Sequence, residues 1–531
     1  MPDPGIDPAT GGKLVITGRV ITMDDHRTVL PQGAVYVDRG SIAAVQTASA
    51  AAPAGFEAAS HLPTRGTIYP GLIELHNHLS YNALRLWAVP KRYGDRDQWA
   101  GTPEYQELVS GPMGVIGRTP SLVPALVRYV ECKCLFGGVT TTQGIALYSD
   151  AGIRKYYRGI VRNVEQTAEA ALPLATDRIS DVAATDVSKF STELQRAHSL
   201  LLHLSEGTDA AARKHFLDLK LPNGDWAISS KLAGIHSVGL EQADIAVLAK
   251  HGGAMIWSPL SNLLLYGGTA RVAELKSAGV RMGIGSDWSP SGSKNLLGEL
   301  KVARVFSQNQ GAKPVFTDEE LVSMATRNAA AILGWDGALG SIEAGKKADL
   351  LAISGAAGDP YGTLFEASER DVVLVMIEGV SRFGSPSLVR PFNAKAETVT
   401  VGGADRLLNL VQETEDPDVA SLSLAEAIAD LKDALHRLPE LAKAPVAART
   451  PGAPGPDTWR LALDETEPTG MALRLQTPGE EALVAAAAPV ALHPLELDAM
   501  TVADDPGFLD ALAAEPNLPA YLVRGLRKLY R

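Results

Sequence analysis

Between residues 13 and 47, apolar and polar side chains alternate in four short runs, 13–17, 19–23, 34–38 and 41–45. The dipeptide Arg39-Gly40 turns the chain between the last two. Period-two alternation interrupted by tight turns predicts a small antiparallel sheet. From Thr67 the pattern changes. Apolar runs at 71–75, 138–144, 200–204, 234–236, 254–258 and 280–286 are separated by helical stretches. Strand–helix alternation sustained over about 270 residues predicts a parallel sheet with helices on its faces, either a barrel or a doubly wound sheet.

A helical stretch at 319–333 leads into turn-and-strand character at 340–354, continued at 372–378 and 381–383. Residues 340–403 are therefore expected to rejoin the N-terminal strands in one composite sheet domain. Further on, 423–441 reads as an amphipathic helix, and 444–456, rich in Ala, Pro and Gly, as a linker. Strand-like runs at 459–463 and 472–476 precede a closing helix near 520–530. Four units follow: 1–66, 67–339, 340–403 and 404–531, the last an α+β appendage without a readable motif. It is expected either to form an oligomer contact, making the protein a homo-oligomer, or to cover part of the central unit.

Composition narrows the partners. With 46% hydrophobic residues among 531, there is ample material for a buried core. The net charge of −12, with no dense Lys/Arg stripe, argues against nucleic acid and anionic membrane surfaces and leaves a small-molecule substrate. No run approaches ~20 uninterrupted apolar residues, and Met-Pro-Asp-Pro-Gly lacks the basic-then-apolar pattern of a signal peptide, so the cytoplasm is the expected location. Cys132 and Cys134 lie two apart in a helix-like stretch, a spacing that points them to different sides and favours neither a disulfide nor a metal pair.

The chemistry concentrates where apolar strands end. The run YPGLIELHNH, 69–78, closes on His76 and His78. In a strand that spacing puts both imidazoles on one face. Parallel barrels place their active sites at this C-terminal edge, and neutral imidazole suits zinc, iron, nickel or copper. LLLHLSE at 200–206 then offers His203 and Glu206, LAGIH at 232–236 offers His236, and VRMGIGSD at 280–287 offers Asp287. A single strand-terminal His or Asp commonly caps a following helix. Recurrence after successive strands is harder to assign to capping. Glu74 shares the parity of His76 and reads either as an acid beneath the histidines or as a satisfied core carboxylate.

With these residues in place, the chain resembles the amidohydrolase superfamily over roughly residues 10–400, in particular the mononuclear branch of guanine deaminase, other heterocycle deaminases and triazine chlorohydrolases. The match extends to MATRNAA at 324–330, Leu333-Gly334, and LGSIEAGKKADL at 339–350. The resemblance implies an α/β fold: a (β/α)8 TIM-like barrel with a composite β-sandwich built from both sides of it. It implies one divalent metal on His76, His78, His203 and Asp287, with Zn2+ foremost and Fe2+, Mn2+ or Ni2+ as alternatives. Glu206 would shuttle protons, His236 would orient water or polarise the substrate, and Asp287 would accept the proton of water. Binuclear relatives carry a carbamylated lysine where this chain reads LPLATDRIS, 172–180, so one metal rather than two is expected. The implied reaction is hydrolytic deamination of an amino-substituted heterocycle. Cyclic amide or amide hydrolysis and chlorohydrolase-type displacement on the same site are alternatives, and a non-catalytic scaffold is a remote one. Candidate substrate contacts are Tyr81 and Asn82 just after His78, Trp87 in the long insertion that follows them, Ser258 and Asn262 in a seventh-strand stretch that resembles the family's Ser-Asn element, and Trp288 beside Asp287.

Overall fold

The computed structural model describes residue 6 and residues 12–149, 153–167, 169–412, 416–443, 459–464 and 491–530. The expected linker at 444–456 and strand at 472–476 lie outside the described residues.

The N-terminal alternation becomes strands, with the runs 13–17 and 19–23 fused into one strand, Lys13–Ile21, whose register slips between Gly18 and Val20. Val29–Asp38 and Ser41–Thr47 follow it antiparallel, while Ser60–Pro70 pairs with it in parallel. The strand Leu350–Ser354 then adds antiparallel to Ser60–Pro70, with Leu351 opposite Tyr69. Val372–Ile377, Val380–Gly384, Ala404–Leu408 and Glu397–Val401 complete a single nine-stranded sheet. Leu14, Ile16 and Val35 from one end of the chain share a core with Leu350, Leu374 and Met376 from the other. Neither half buries its apolar face alone, which is why segments some 300 residues apart meet. The sheet crosses the expected borders at 66 and 403, since Ser60–Pro70 and the hairpin ending at Leu408 run through them.

Of the described short strands between these halves, eight make parallel sheets: Leu72–Ile73, Val139–Thr142, Arg162–Asn163, Ala175–Arg178, Ser199–Leu204, Leu232–His236, Ala254–Trp257 and Met282–Ile284. The first three form one parallel sheet and the other five a second. Backbone hydrogen bonds join the two sheets on both sides. Ala175 N donates to Val164 O at 2.9 Å on one side, and Leu75 N to Ile284 O at 3.3 Å and Asp287 N to His76 O at 3.0 Å on the other. Gly285 permits the second junction, because a Cβ there would lie 2.5 Å from His76 N. Ser199–Leu204 and Leu232–His236 are buried along their whole length, as strands covered on both faces must be.

Residues beyond 408 pack onto this centre. The helix Leu424–His436, inside the expected 423–441 stretch, lies on the helix Val123–Phe136, whose Arg128 donates to the carbonyls of Leu422 and Val419. Cys132 and Cys134 sit in that same helix, buried and free. Trp459–Leu461 adds an antiparallel strand to Ala146–Ser149, and the closing helix Ala520–Leu529 packs on Leu296–Gln308. The described part of the tail packs on the central unit, one of its two expected roles. No described helix is long and apolar enough to cross a membrane.

One buried ion cluster fastens the tail. Asp498 lies between the ammonium groups of Lys133, at 2.6 Å, and Lys294, and all three side chains are almost fully buried. Removing one member of such a cluster leaves charge in a low-dielectric interior without its partner. Asp498→Ala is therefore expected to lower unfolding stability by roughly 3–5 kcal/mol, measured by denaturant titration; a variant as stable as the parent would show that the cluster does not hold the tail.

Candidate metal centre and active site

His76 and His78 leave the first parallel strand, His203 ends the fifth, His236 ends the sixth, and Asp287 follows the eighth. Ser205, His236 and Asp287 adopt left-handed backbone angles, with φ of 50°, 64° and 66°. Such conformations are uncommon without glycine and mark abrupt turns where each strand hands over to its loop. The turns bring the imidazoles together: ring centroids lie 4.7 Å apart for His76 and His203, and 4.9 Å for His76 with either His78 or His236.

The converging atoms are the Nε2 nitrogens and one carboxylate. His78 Nε2 is 3.2 Å from His203 Nε2, and Asp287 Oδ1 is 3.2 Å from His76 Nε2 and 3.4 Å from His78 Nε2. Tetrahedral ligands about 2.1 Å from an ion sit about 3.4 Å from one another, so the spacing matches a shared cation. His76 with His78 and Asp287, and His76 with His203 and His236, form two overlapping groups able to hold a metal.

The opposite ring nitrogens explain why Nε2 faces inward. His76 Nδ1 lies 3.3 Å from Gln143 Oε1, His203 Nδ1 3.4 Å from Arg178 O, His236 Nδ1 2.8 Å from Asn262 Oδ1, and His78 Nδ1 2.7 Å from Asp464 Oδ2. Each oxygen holds a proton on Nδ1, which turns the Nε2 lone pair toward the centre. His76 Nε2 is buried and makes no hydrogen bond. Lone pairs and a carboxylate directed at one point repel unless positive charge sits among them. The donor set fits a divalent cation.

The electrostatics agree. Burial, joined by the surrounding imidazoles, holds His203 well below its ordinary value, and burial lowers His76, which favours the neutral form that can ligate. Burial opposes charge on Asp287, but the imidazoles of His76, His236 and His78 outweigh it and keep the carboxylate well below its usual range. Burial likewise pulls His78 down, yet the Asp464 carboxylate more than offsets this and leaves it pushed up to about 10. Two carboxylates thus favour positive charge where the Nε2 atoms meet.

Beside this point, Glu206 Oε1 accepts a 2.7 Å bond from the Tyr266 hydroxyl, and Oε2 lies 3.6 Å from Arg96 and 3.7 Å from His236 Nε2. Burial and the Glu206 charge push the Tyr266 phenol well above its ordinary value, so it remains a donor. Glu74 lies beneath the ligand loops, where Oε1 accepts from the backbone and hydroxyl of Ser286 and Oε2 from Asn77 Nδ2 at 2.9 Å. It ties the ends of the first and eighth strands together.

A cleft of about 630 Å³, part of it open to solvent, rises over the cluster. Trp99, Tyr105, Trp288, Arg96, Ile179 and Asp464 line it together with His78, His203, Glu206, His236 and Asp287. Of the expected substrate contacts, Trp288 is in the wall. The other five stand behind it. Tyr81 accepts a bond from Asp464 N, Asn82 bonds Asn77 and Ser289 N, Trp87 stacks among Tyr93, Trp99 and Tyr105, buried Ser258 precedes the helix Pro259–Tyr266, and Asn262 orients His236. Arg96, Tyr105 and Ile179 carry no motif that would single them out. Asp464 lies in a tail without any readable motif.

A model described as the amidohydrolase family matches residues 67–382. A 5-methylthioadenosine/S-adenosylhomocysteine deaminase of Symbiobacterium thermophilum is 32% identical over 200 residues, which are 34% of this chain and 44% of that relative's length. An S-triazine hydrolase of Gordonia rubripertincta is 24% identical over 64% of this chain and 82% of its own. Among solved structures, an adenosine deaminase from Xanthomonas campestris with bound zinc superposes with a TM-score of 0.56 at 19% identity, covering 82% of this chain and 99% of that one. The likeness is one of fold, of the TIM-barrel type.

Proposed function

The chain belongs to the amidohydrolase family, and from that premise we propose that it is a metal-dependent hydrolase that directs water onto an sp² carbon to release an amino group from a planar heterocycle. The observation that carries this reading is the convergence of three Nε2 atoms and the Asp287 carboxylate, with every opposite ring nitrogen tied to an oxygen. On this reading the two parallel sheets are one eight-stranded (β/α)8 barrel, flanked by the nine-stranded sheet that the two ends of the chain build together. His76, His78, His203 and Asp287 would hold one divalent ion, zinc foremost.

Such an ion lowers the pKa of water from about 15.7 toward ~7, giving a nucleophile at neutral pH. The remaining work falls to the side chains. Asp287, a charged carboxylate at the meeting point, accepts the proton of the attacking water. His236, fixed by Asn262, presents Nε2 between Glu206 and Asp287, 3.7 Å from one and 4.0 Å from the other, where it orients the water or polarises the substrate. Glu206, steadied by Tyr266 and Arg96, carries a proton to the departing nitrogen. Trp99, Tyr105 and Trp288 offer aromatic faces along the cleft against which a flat ring can stack.

The activities named for the similar proteins, together with the family resemblance, set the screen. Zinc-loaded protein is expected to release ammonia from at least one member of a panel of adenine nucleosides, guanine, pterins and aminotriazines. Turnover that liberates chloride, an alcohol or a ring-opened acid with no ammonia would replace deamination by another hydrolysis on the same residues.

A further inference from the structure

Three of the four site imidazoles rest Nδ1 on a neutral oxygen: the Gln143 amide, the Arg178 carbonyl and the Asn262 amide. His78 alone among them rests on a carboxylate, Asp464, with Nδ1 and Oδ2 2.7 Å apart. Asp464 lies beyond residue 382, where the family match ends. It reaches the site because the tail is anchored just before it. Trp459–Leu461 pairs with Ala146–Ser149, Ala462 N donates to Ala146 O at 2.9 Å, and Leu461, Ala462 and Leu463 are buried. Asp464 N then donates to the Tyr81 hydroxyl at 3.1 Å, and the Tyr81 ring stands against both His78 and Trp288. The carboxylate itself lines the cleft and is 26% exposed.

We propose that Asp464 is a positioning residue supplied by the C-terminal segment, which holds His78 with its Nε2 lone pair on the metal point and completes the wall of the cleft. The inference rests on the reading that His78 ligates a metal. A carboxylate behind an imidazole fixes ring and tautomer together and makes the inward nitrogen a stronger donor. It also makes the tail part of the active site, so that an intact metal centre requires the segment that the barrel alone does not provide.

The test compares Zn2+ affinity, by competition with a chromogenic chelator, in the full-length parent, Asp464→Ala, Asp464→Asn and His78→Ala. Asp464→Ala is expected to bind zinc about 10–100-fold more weakly, the usual loss when the partner of a ligating histidine is removed. Asp464→Asn, which keeps an oxygen acceptor without the charge, should fall between the two. Zinc-free Asp464→Ala should melt only slightly below the zinc-free parent, since it gives up one ion pair with His78 at a part-exposed carboxylate and no packed core. Parental zinc affinity in Asp464→Ala, alongside loss in His78→Ala, would overturn the role of Asp464 while leaving the metal site standing. Retention of zinc by His78→Ala would bring down the metal reading itself. A zinc-free Asp464→Ala protein that melts well below the parent would make the residue a structural one and overturn the assignment.

Discussion

Asp287→Ala is expected to lose metal and turnover together. Asp287 supplies a carboxylate oxygen within 3.4 Å of both His76 and His78 Nε2, so its removal takes away a ligand and the negative charge directly beside them. Three imidazoles left facing one another no longer hold a divalent ion tightly, and the acceptor for the proton of water disappears with the metal. His203→Ala should behave in the same way, because His203 Nε2 stands 3.2 Å from that of His78 on the far side of the point. Metal per chain by plasma mass spectrometry and ammonia release on the same preparations check both. A variant that keeps one equivalent of metal and still turns over would remove Asp287 from the centre.

Glu206→Gln separates chemistry from binding. The amide keeps the shape and can still accept from the Tyr266 hydroxyl, while Glu206 itself is outside both metal-holding groups. Metal content should stay at the parental level, with turnover lower by a factor of roughly 10²–10⁴, the scale of a lost acid–base group. Full activity in this variant would show that protons reach the leaving nitrogen by another path.

What the chain discloses before folding follows from how the signals are spaced. His76-x-His78, His203, His236 and Asp287 were legible because each stands at the end of an apolar run, and strand parity alone aims the first pair. The apolar strands 200–204 and 254–258 were placed to within a residue of Ser199–Leu204 and Ala254–Trp257. Arg162–Asn163 was not visible, being two polar residues whose strand character exists only through pairing with Thr141 and Thr142. The hairpin Ala146–Ser149 with Arg154–Tyr156 was missed for the same reason: its polar alternation gains meaning only when Trp459–Leu461 covers its edge. Asn262 is expected among the substrate contacts because its stretch resembles the family's Ser-Asn element. Its side chain instead spends Oδ1 on His236, a role that depends on the 26-residue separation closing in space. Asp464 is the extreme case, since a lone Asp after Ala462 and Leu463 acquires chemistry only from the 2.7 Å approach to His78.

The test that bears most directly on the whole account is a diffraction experiment on crystals of the zinc-loaded protein, with data collected on both sides of the zinc absorption edge. The account predicts one anomalous peak per chain, about 2.0–2.2 Å from Nε2 of His76, His78 and His203 and from a carboxylate oxygen of Asp287. A peak bound elsewhere, or none at that point in crystals grown with excess zinc, would contradict it.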